Sequence, residues 1–418
     1  KSIGNESTYN AGFALSTYIA NEYGPESLKK IMVELSSLTQ FSINTAIENA
    51  IGITGAVLFN NFKSSLETQY KLLVSPIEIN PVEGQQIQKE GTTNIYPKWH
   101  PVKNGFAYLS NKENDFFSQT DLFYYDIEID EDKKLISGIH SAPSWHPNGE
   151  IIFYSKKPKF PNKVGSKYYD IYSYDMEMEK EERLTVDARA FNPVFIQSDS
   201  TIAYLATFDG GQDIYVLDLN TNTSTKITDF KDRPILSHLT YSEKNHSLYF
   251  DITTHHYRNI GRLDFSSNAI TNELENPLFD ERNMAESPNG IQLFSQDKSG
   301  IYNLYMINPV DTTAGYVTNL SGGAFMPDIC KDGRVLFSLY KEGQYTISLL
   351  DSLQLIDESL VGYSPNYFEN NSGHNNPLVE LNTSASKPYS DQFPNMFIMP
   401  KVMIDYCTIK TGFYLYSS

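Results

Sequence analysis

The stretch S-A-P-S-W-H-P-N-G-E-I-I-F-Y-S, from Ser141 to Ser155, joins a Pro-x-Trp-x-Pro-x-Gly turn to an apolar strand. A second stretch, Y-P-K-W-H-P-V-K-N-G-F-A-Y-L-S from Tyr96 to Ser110, has nearly the same order, with its tryptophan 46 residues earlier. Asn and Gly in such turns accept backbone angles that other residues resist. A turn that returns at a fixed spacing predicts an internal repeat, and a repeat decides the fold.

Six units can be aligned on the tryptophan position of that turn. The steps between them are 46, 50, 44, 47 and 43 residues, and the anchors are Trp99, Trp145, Phe195, Leu239, Glu286 and Ile329. A second strand motif follows each anchor, and D-I-Y-V-L-D at 213–218 is a clear example. Its neighbours Ile214 and Tyr215 point to opposite faces of the strand, so both faces are apolar and both must be covered.

Sheets of about four strands that are buried on both faces and repeat six times predict a six-bladed β-propeller over residues 76–360. A β-sandwich is the alternative, but it does not explain the period. Residues 1–75 have helical periodicity, with a fourth helix expected from Val57 to Leu72, and residues 361–418 are expected to form a linker and a β tail. The predicted fold class is therefore mainly β: a six-bladed propeller with an N-terminal α-helical segment and a short C-terminal β tail.

Composition limits the classes of function. The 418 residues carry a net charge of −18, which argues against nucleic-acid binding and against docking on an anionic lipid surface. Cys330 and Cys407 are too few and too far apart for a disulfide framework or a zinc site. No run of 18 apolar residues predicts a transmembrane helix.

The unit P-x-W-S-P-D-G-x-x-I-x-F-x-S…D-I-Y-x-x-D…L-T, as it stands in S-W-H-P-N-G-E-I-I-F-Y-S, D-I-Y-V-L-D and E-S-P-N-G-I-Q-L-F-S, resembles the TolB-like propeller repeat, also called the WD40-like or PD40 repeat. The resemblance covers about residues 95–360 and is weak in the fourth unit. It implies a six-bladed scaffold that binds protein or peptide in the bacterial periplasm or at the outer membrane. Fold alone does not fix the ligand.

Two shorter resemblances flank the propeller. The segment G-N-E-S-T-Y-N-A-G-F-A-L-S-T-Y-I-A-N-E-Y-G, residues 4–24, looks like the C-terminal helices of gluzincin metallopeptidases of the peptidase-MA type. In that family the zinc ligands come from an H-E-x-x-H helix upstream, which this chain lacks. The resemblance therefore implies no catalytic residue, no metal ligand and no cofactor here, with zinc expected only in a missing N-terminal part. It leaves open an alternative function, as the accessory part of a membrane-associated zinc peptidase.

The tail at 389–418 resembles the linker and opening strand of bacterial proteins in which such a propeller precedes an outer-membrane barrel. That resemblance implies an association with the outer membrane through sequence beyond Ser418. An edge strand packed on the propeller is the alternative. A serine hydrolase is disfavoured, because no G-x-S-x-G is present and too few residues follow the propeller for such a domain.

Two sets of residues are candidate binding positions. Since the first strand of each blade starts near the central channel, Pro97, Pro143 and Pro193 are expected in its neighbourhood. The stretch K-K-P-K-F-P-N-K-V-G-S-K at 156–167 is expected to be a long exposed loop between two strands of the second unit, and its lysines are Lys156, Lys157, Lys159, Lys163 and Lys167. These lysines are either a contact site for an acidic partner or lipid headgroups, or a solvated hairpin tip. The histidines at 238, 246, 255 and 256 fit no metal-ligand spacing and are expected in loops and at strand ends.

Overall fold

The computed structural model describes residues 6–37, 40–196, 200–363, 396–405 and 408–417. The chain divides into two units, Lys1–Ser372 and Gly373–Ser418, which are described separately. The first unit opens with four helices: α1 (Glu6–Tyr23), α2 (Glu26–Leu35), α3 (Ile43–Ile51) and α4 (Gly55–Ile79). Within the described ranges, no helix is both long and apolar enough to cross a membrane.

Local chemistry sets the limits of these helices. The Ser42 and Thr54 side chains accept hydrogen bonds from the backbone N–H groups of Thr45 and Val57 and so cap α3 and α4. The fourth helix is longer than predicted, because it continues through Pro76 to Ile79. The helix therefore runs past residue 75, where the helical segment was predicted to end. One proline removes one helical hydrogen bond, and the burial of Ile77 offsets part of that loss.

Within the first part of the chain, the first and second repeat units together form one eight-stranded sheet. The preceding strand, β1 (Gln85–Gln88), belongs to another sheet, and the strands of these two units are β2 (Asn94–Trp99), β3 (Gly105–Ser110), β4 (Thr120–Asp126), β5 (Glu131–Ile139), β6 (Ser144–Trp145), β7 (Ile151–Lys156), β8 (Asp170–Asp175) and β9 (Lys180–Arg183). A single residue pair, Ile139 with Lys156, joins the two halves. Among the described residues, the repeat region forms five sheets where six blades were predicted, and the count of six stays a prediction.

The next three units each form a separate antiparallel sheet of four consecutive strands. They are β10 (Ala190–Ile196), β11 (Thr201–Phe208), β12 (Gly211–Asp218) and β13 (Thr223–Lys226); β14 (Ile235–Ser242), β15 (Ser247–Thr254), β16 (Tyr257–Asp264) and β17 (Ala269–Leu274); β18 (Glu281–Glu286), β19 (Gln292–Gln296), β20 (Asn303–Asn308) and β21 (Thr313–Tyr316).

The last sheet of this unit combines the two ends of the repeat region. It contains β22 (Gly323–Ile329), β23 (Val335–Lys341) and β24 (Gln344–Leu350), and β1 pairs antiparallel with β24 as its fourth strand. A 3-10 helix at Glu358–Leu360 follows. First strands of neighbouring units contact one another in the order β6, β10, β14, β18, β22 and β2.

A repeated polar contact closes several of these sheets. Asp170 is the first residue of β8 and Asp213 is the third residue of β12. Each accepts a hydrogen bond from a threonine, Thr185 at 3.0 Å and Thr228 at 2.9 Å. Each threonine hydroxyl in turn accepts the N–H of the residue after the aspartate, at 2.9 Å in both units. The D-I-Y…L-T motif therefore ties the third strand to the connection that leaves the fourth strand.

The first strands share a β-bulge that the sequence analysis did not anticipate. In five units the ladder between first and second strand shifts by one residue. A non-glycine residue with φ between 48° and 58° lies at each shift: Tyr96, Asn192, His238, Asn283 and Met326. Proline follows three of them, at Pro97, Pro193 and Pro327. Proline cannot donate to a ladder, so the bulge is what admits it to an interior strand.

The bulge also corrects the repeat alignment in the fourth unit. Trp99 pairs with Phe106 and Phe195 pairs with Ile202, each three residues after its bulge. In the fourth unit that position is Tyr241, which pairs with Leu248. The predicted anchor Leu239 was therefore wrong by two residues, because the strand pattern alone does not reveal where the extra residue lies.

The second unit of the chain contains one antiparallel hairpin in its described residues, formed by β25 (Met396–Asp405) and β26 (Thr408–Ser417). Opposed pairs on one face are apolar, such as Ile398 with Leu415 and Ile404 with Ile409. Residues 364–395 of the predicted linker and residues 406–407, including Cys407, lie outside the described residues.

Candidate functional site

The ends of the first strands surround a cavity of about 540 Å³. Every one of the six units contributes to its wall, through Trp99, Ser144, Val194, Tyr241, Glu286 and Asp328 among others. Such convergence is the expected geometry of a channel mouth, where strands of successive sheets end together. We call this cavity the mouth.

A second cavity of about 800 Å³ shares part of that wall and extends over the turns that follow the first strands. Its lining carries both signs of charge: positive from Lys103, Lys331 and Arg334, and negative from Glu243 and Asp332. Glu243 and Lys331 also line the mouth and are exposed. The two cavities together form a concave surface with aromatic walls and a charged rim.

The wall is fixed where the first and last units meet. Asp328 accepts hydrogen bonds from the Trp99 backbone N–H at 2.7 Å and from the Lys98 ammonium at 3.0 Å. The Trp99 indole N–H donates to the Asp328 carbonyl at 3.2 Å, and the Arg334 guanidinium lies 4.8 Å from the Trp99 ring centre. Trp145 repeats the indole contact, donating to the Lys98 carbonyl at 3.2 Å.

His100 connects two neighbouring turns. Its Nδ1 accepts the N–H groups of Val102 and Lys103 at 3.1 and 2.8 Å, so Nε2 carries the proton and donates to the Gly149 carbonyl at 3.0 Å. Burial lowers the pKa of this imidazole, which favours the neutral ring. Gly149 has φ of 75° and lies directly against the ring, so no side chain fits there. This explains the glycine of the opening motif.

Deeper among the first strands, two rings from different units stack. The Tyr96 and His238 ring centres lie 6.5 Å apart, and the planes differ by 16°. His238 is buried and donates from Nε2 to the Met284 carbonyl at 3.2 Å. Burial lowers the pKa of His238 to about 3. His238 was predicted in a loop or at a strand end. That was wrong, because it occupies the bulge of β14.

A carboxylate and an arginine lie near that stack. Burial raises the pKa of Asp251 to about 7, although the Asn283 backbone N–H donates to it at 2.8 Å. The Arg282 guanidinium lies 3.9 Å from the centre of the Tyr302 ring and 4.9 Å from that of Phe325. Sequence reasoning missed Asp251, since the fourth unit keeps little of the repeat motif, and it did not single out Arg282.

The predicted proline positions separate in the structure. Pro143 and Pro193 line the mouth, while Pro97 is buried within β2 and is not part of the lining. Among the described residues, no group of three His, Cys, Asp or Glu side chains is placed to hold a metal ion. The resemblance of residues 4–24 to a metallopeptidase stays a prediction.

The predicted lysines lie elsewhere. Lys156 ends β7, and its ammonium is 2.9 Å from a Glu181 carboxylate oxygen. The other four, from Lys157 to Lys167, lie in the connection between the second and third strands of their unit. In an antiparallel sheet that connection is at the opposite end from the turn between the first and second strands. The lysines therefore lie away from the mouth.

No family model matches the chain. It is similar to the Tol-Pal system protein TolB of Ruthia magnifica subsp. Calyptogena magnifica, with 36% identity over 130 residues, which are 30% of this chain and 27% of that protein. The protein of the same name from Vesicomyosocius okutanii subsp. Calyptogena okutanii is 35% identical over 119 residues, 27% of this chain and 24% of that protein. The matched segment thus spans about a quarter of each of these curated relatives.

Among solved structures, the putative TolB from Agrobacterium tumefaciens aligns with a TM-score of 0.48 and 12% identity, covering 66% of this chain and 98% of that chain. The repeated antiparallel sheets and the sequence similarity to TolB together make the fold a TolB-like β-propeller.

Proposed function

We propose that this chain is a non-catalytic scaffold of the bacterial periplasm or outer membrane that binds a protein or peptide at the mouth. The observation that carries the proposal is the convergence of all six units on one concave surface with aromatic walls and charges of both signs. Such a surface offers rigid aromatic anchors inside a polar rim, which is the anatomy of a protein-binding site. We expect the scaffold to need no cofactor.

A closed ring of six blades is part of the proposal, and the contacts between neighbouring units support it. Trp99 donates to the carbonyl of Asp328, and Trp145 donates to the carbonyl of Lys98. Each acceptor lies one residue before the anchor of the preceding unit, so the last and first units meet through the same contact as the first and second. The antiparallel pairing of β1 with β24 also supports closure, since the last sheet takes its fourth strand from the start of the repeat region.

The printed name of the relatives directs the choice of partner. Both are Tol-Pal system proteins, and we propose that this chain also works in an assembly of that kind, with the Pal component of the same organism as its first candidate partner. Rigid anchors on a preformed surface favour binding without a large rearrangement of the propeller.

The test is a calorimetric titration of the purified chain with that Pal protein. The Lys331→Glu/Glu243→Lys double variant changes the charge pattern of the mouth without changing net charge, and we expect it to weaken binding about tenfold or more. The Lys180→Glu/Glu182→Lys variant makes the matched exchange on exposed positions of β9 and should bind as the parent does. Absence of binding, or equal loss in both variants, would contradict the proposal.

A further inference from the structure

The connection between β7 and β8 concentrates positive charge in a strongly acidic protein. Lys157, Lys159, Lys163 and Lys167 form no ion pair with any described residue, whereas Lys156 is paired with Glu181. The net charge of the whole chain is −18. Four lysines without an ion-pair partner within eleven residues therefore make the local surface charge positive on a protein whose net charge is negative.

The same connection exposes apolar side chains. Phe160 is 74% exposed and Val164 is 80% exposed, and Val186 from the neighbouring connection is 73% exposed. A depression of about 470 Å³ separates the two segments, and Lys163 and Arg183 contribute to its lining. The one carboxylate there, Asp187, accepts a hydrogen bond from Asn162 and lies 3.9 Å from the Arg183 guanidinium, so its charge is compensated. The outer surface is thus apolar and cationic.

Internal hydrogen bonds hold the tip of this connection in one shape. The Asn162 side-chain oxygen accepts the N–H groups of Val164 and Ser166 at 3.1 and 2.9 Å. Its carbonyl accepts the Gly165 N–H at 3.0 Å, and its own N–H donates to the Ser166 carbonyl at 2.8 Å. These backbone donors are used inside the loop, so the loop presents side chains to a partner and offers little backbone for strand addition.

The cationic character continues onto the next unit. The Arg189 guanidinium lies 4.4 Å from the Tyr168 ring centre and 6.0 Å from that of Phe208, which is 48% exposed. On the other side, the Lys167 ammonium donates to the Lys159 carbonyl at 2.6 Å, which draws the two ends of the loop together. We call the whole surface the basic loop surface, formed by Lys157, Lys159, Phe160, Lys163, Val164, Lys167, Val186 and Arg189.

We propose that the basic loop surface docks on an anionic phospholipid bilayer, with Phe160 and Val164 entering the interface and the lysines contacting lipid phosphates. Exposed apolar tips flanked by lysines are the arrangement that interfacial binding uses, since burial of the tips adds to attraction by the headgroups. An acidic peptide would also meet the lysines, but it would leave the protruding tips without a partner. Because the surface lies at the opposite end of the sheets from the mouth, a docked propeller keeps the mouth free.

The negative charge of the rest of the chain orients the docked state. Outside the basic loop surface the acidic body is repelled by an anionic membrane within about one Debye length, ~8 Å at physiological salt. Attraction is then confined to the loop end, so one orientation is favoured over others. Binding is expected to weaken as salt rises, because the exposed cations are screened.

The experiment is sedimentation of the full chain with vesicles of equal parts phosphatidylcholine and phosphatidylglycerol, and with vesicles of phosphatidylcholine alone. The charge variant carries Lys157→Gln, Lys159→Gln, Lys163→Gln and Lys167→Gln, and its control carries Lys30→Gln, Lys71→Gln, Lys89→Gln and Lys180→Gln, which are exposed elsewhere. We expect binding to the anionic vesicles only, weakened about a hundredfold by the loop variant and little by the control.

A second variant, Phe160→Ser/Val164→Ser, keeps every charge and should also weaken binding, which separates interfacial insertion from simple charge attraction. Equal binding to both vesicle types, equal loss in the loop variant and the control, or no effect of the serine variant would each overturn the proposal. Binding of polyglutamate by the loop without binding of anionic vesicles would overturn it in favour of an acidic peptide partner.

Discussion

Two contacts between neighbouring repeat units, which we call seams, differ in chemistry: the apolar seam joins the sixth and first units, and the polar seam joins the fourth and fifth. At the apolar seam, Trp99 is 7% exposed and its indole donates to the Asp328 carbonyl of the sixth unit. At the polar seam, His238 and Thr240 both donate to the Met284 carbonyl, at 3.2 and 2.6 Å. The shared elements are a bulged first strand and a donor to the neighbour's backbone. Tryptophan is one way to supply that donor, and it adds apolar area that the polar seam lacks.

The largest expected effect comes from removing the apolar seam. Trp99→Ala should lower the free energy of unfolding by about 3–5 kcal/mol, since it leaves a cavity against Phe106 and an unpaired Asp328 carbonyl. Chemical denaturation monitored by circular dichroism measures this. Trp99→Phe keeps most of the area and should lose less than half as much. A loss below about 1 kcal/mol for the alanine variant would show that the tryptophan does not hold the seam.

The polar seam should make the free energy of unfolding depend on pH. Burial raises the pKa of Asp251 from 3.8 to about 7, so the folded state holds its proton more tightly than the unfolded state does. The wild type then keeps this contribution below pH 3.8 and loses it as pH rises through about 7. Asp251→Asn keeps an acceptor for the Asn283 N–H and cannot ionise. Its stability relative to wild type should rise between pH 4 and pH 8, by on the order of 3 kcal/mol.

A matched control has the opposite sign. Hydrogen bonds from the Ser267 backbone N–H and hydroxyl lower the pKa of the half-buried Asp264. Its contribution is present above its unfolded pKa and is lost as pH falls through the folded value, so Asp264→Asn should fall behind wild type as pH rises. Unfolding curves at several pH values measure both variants. Parallel curves for wild type and Asp251→Asn would contradict the burial of an ionisable carboxyl at this seam.

The difference between the seams also explains what the sequence could predict. Trp99 and Trp145 lie in complete motifs, so the period, the sheets buried on both faces and the approach of Pro143 and Pro193 to one cavity follow from the pattern. The bulge at His238 leaves no such signal, because a histidine followed by leucine has no proline or glycine to mark the left-handed backbone conformation. The fourth unit was therefore aligned two residues out of register, and the burial of His238 and Asp251 was missed. Helix α4 runs past the boundary predicted at residue 75 for a related reason, since tertiary packing overrode the low helix propensity of Pro76.

The smallest expected effect concerns Glu286, the residue that replaces tryptophan at the anchor of the fifth unit. Burial raises the pKa of this carboxyl, although the Ser242 side chain and the Lys244 charge oppose the shift. Its contribution to stability is therefore lost as pH rises through the folded pKa. Glu286→Gln keeps an acceptor for the Asn245 amide, which lies 3.3 Å from Oε1. The variant should match wild type in acid and exceed it above neutrality, by less than about 1 kcal/mol. Glu182→Gln on the exposed β9 should change nothing at either pH. If Glu286→Gln is less stable than wild type at high pH, the charge of Glu286 stabilises this contact. The view that a polar anchor contributes less to stability than a tryptophan anchor would then be contradicted.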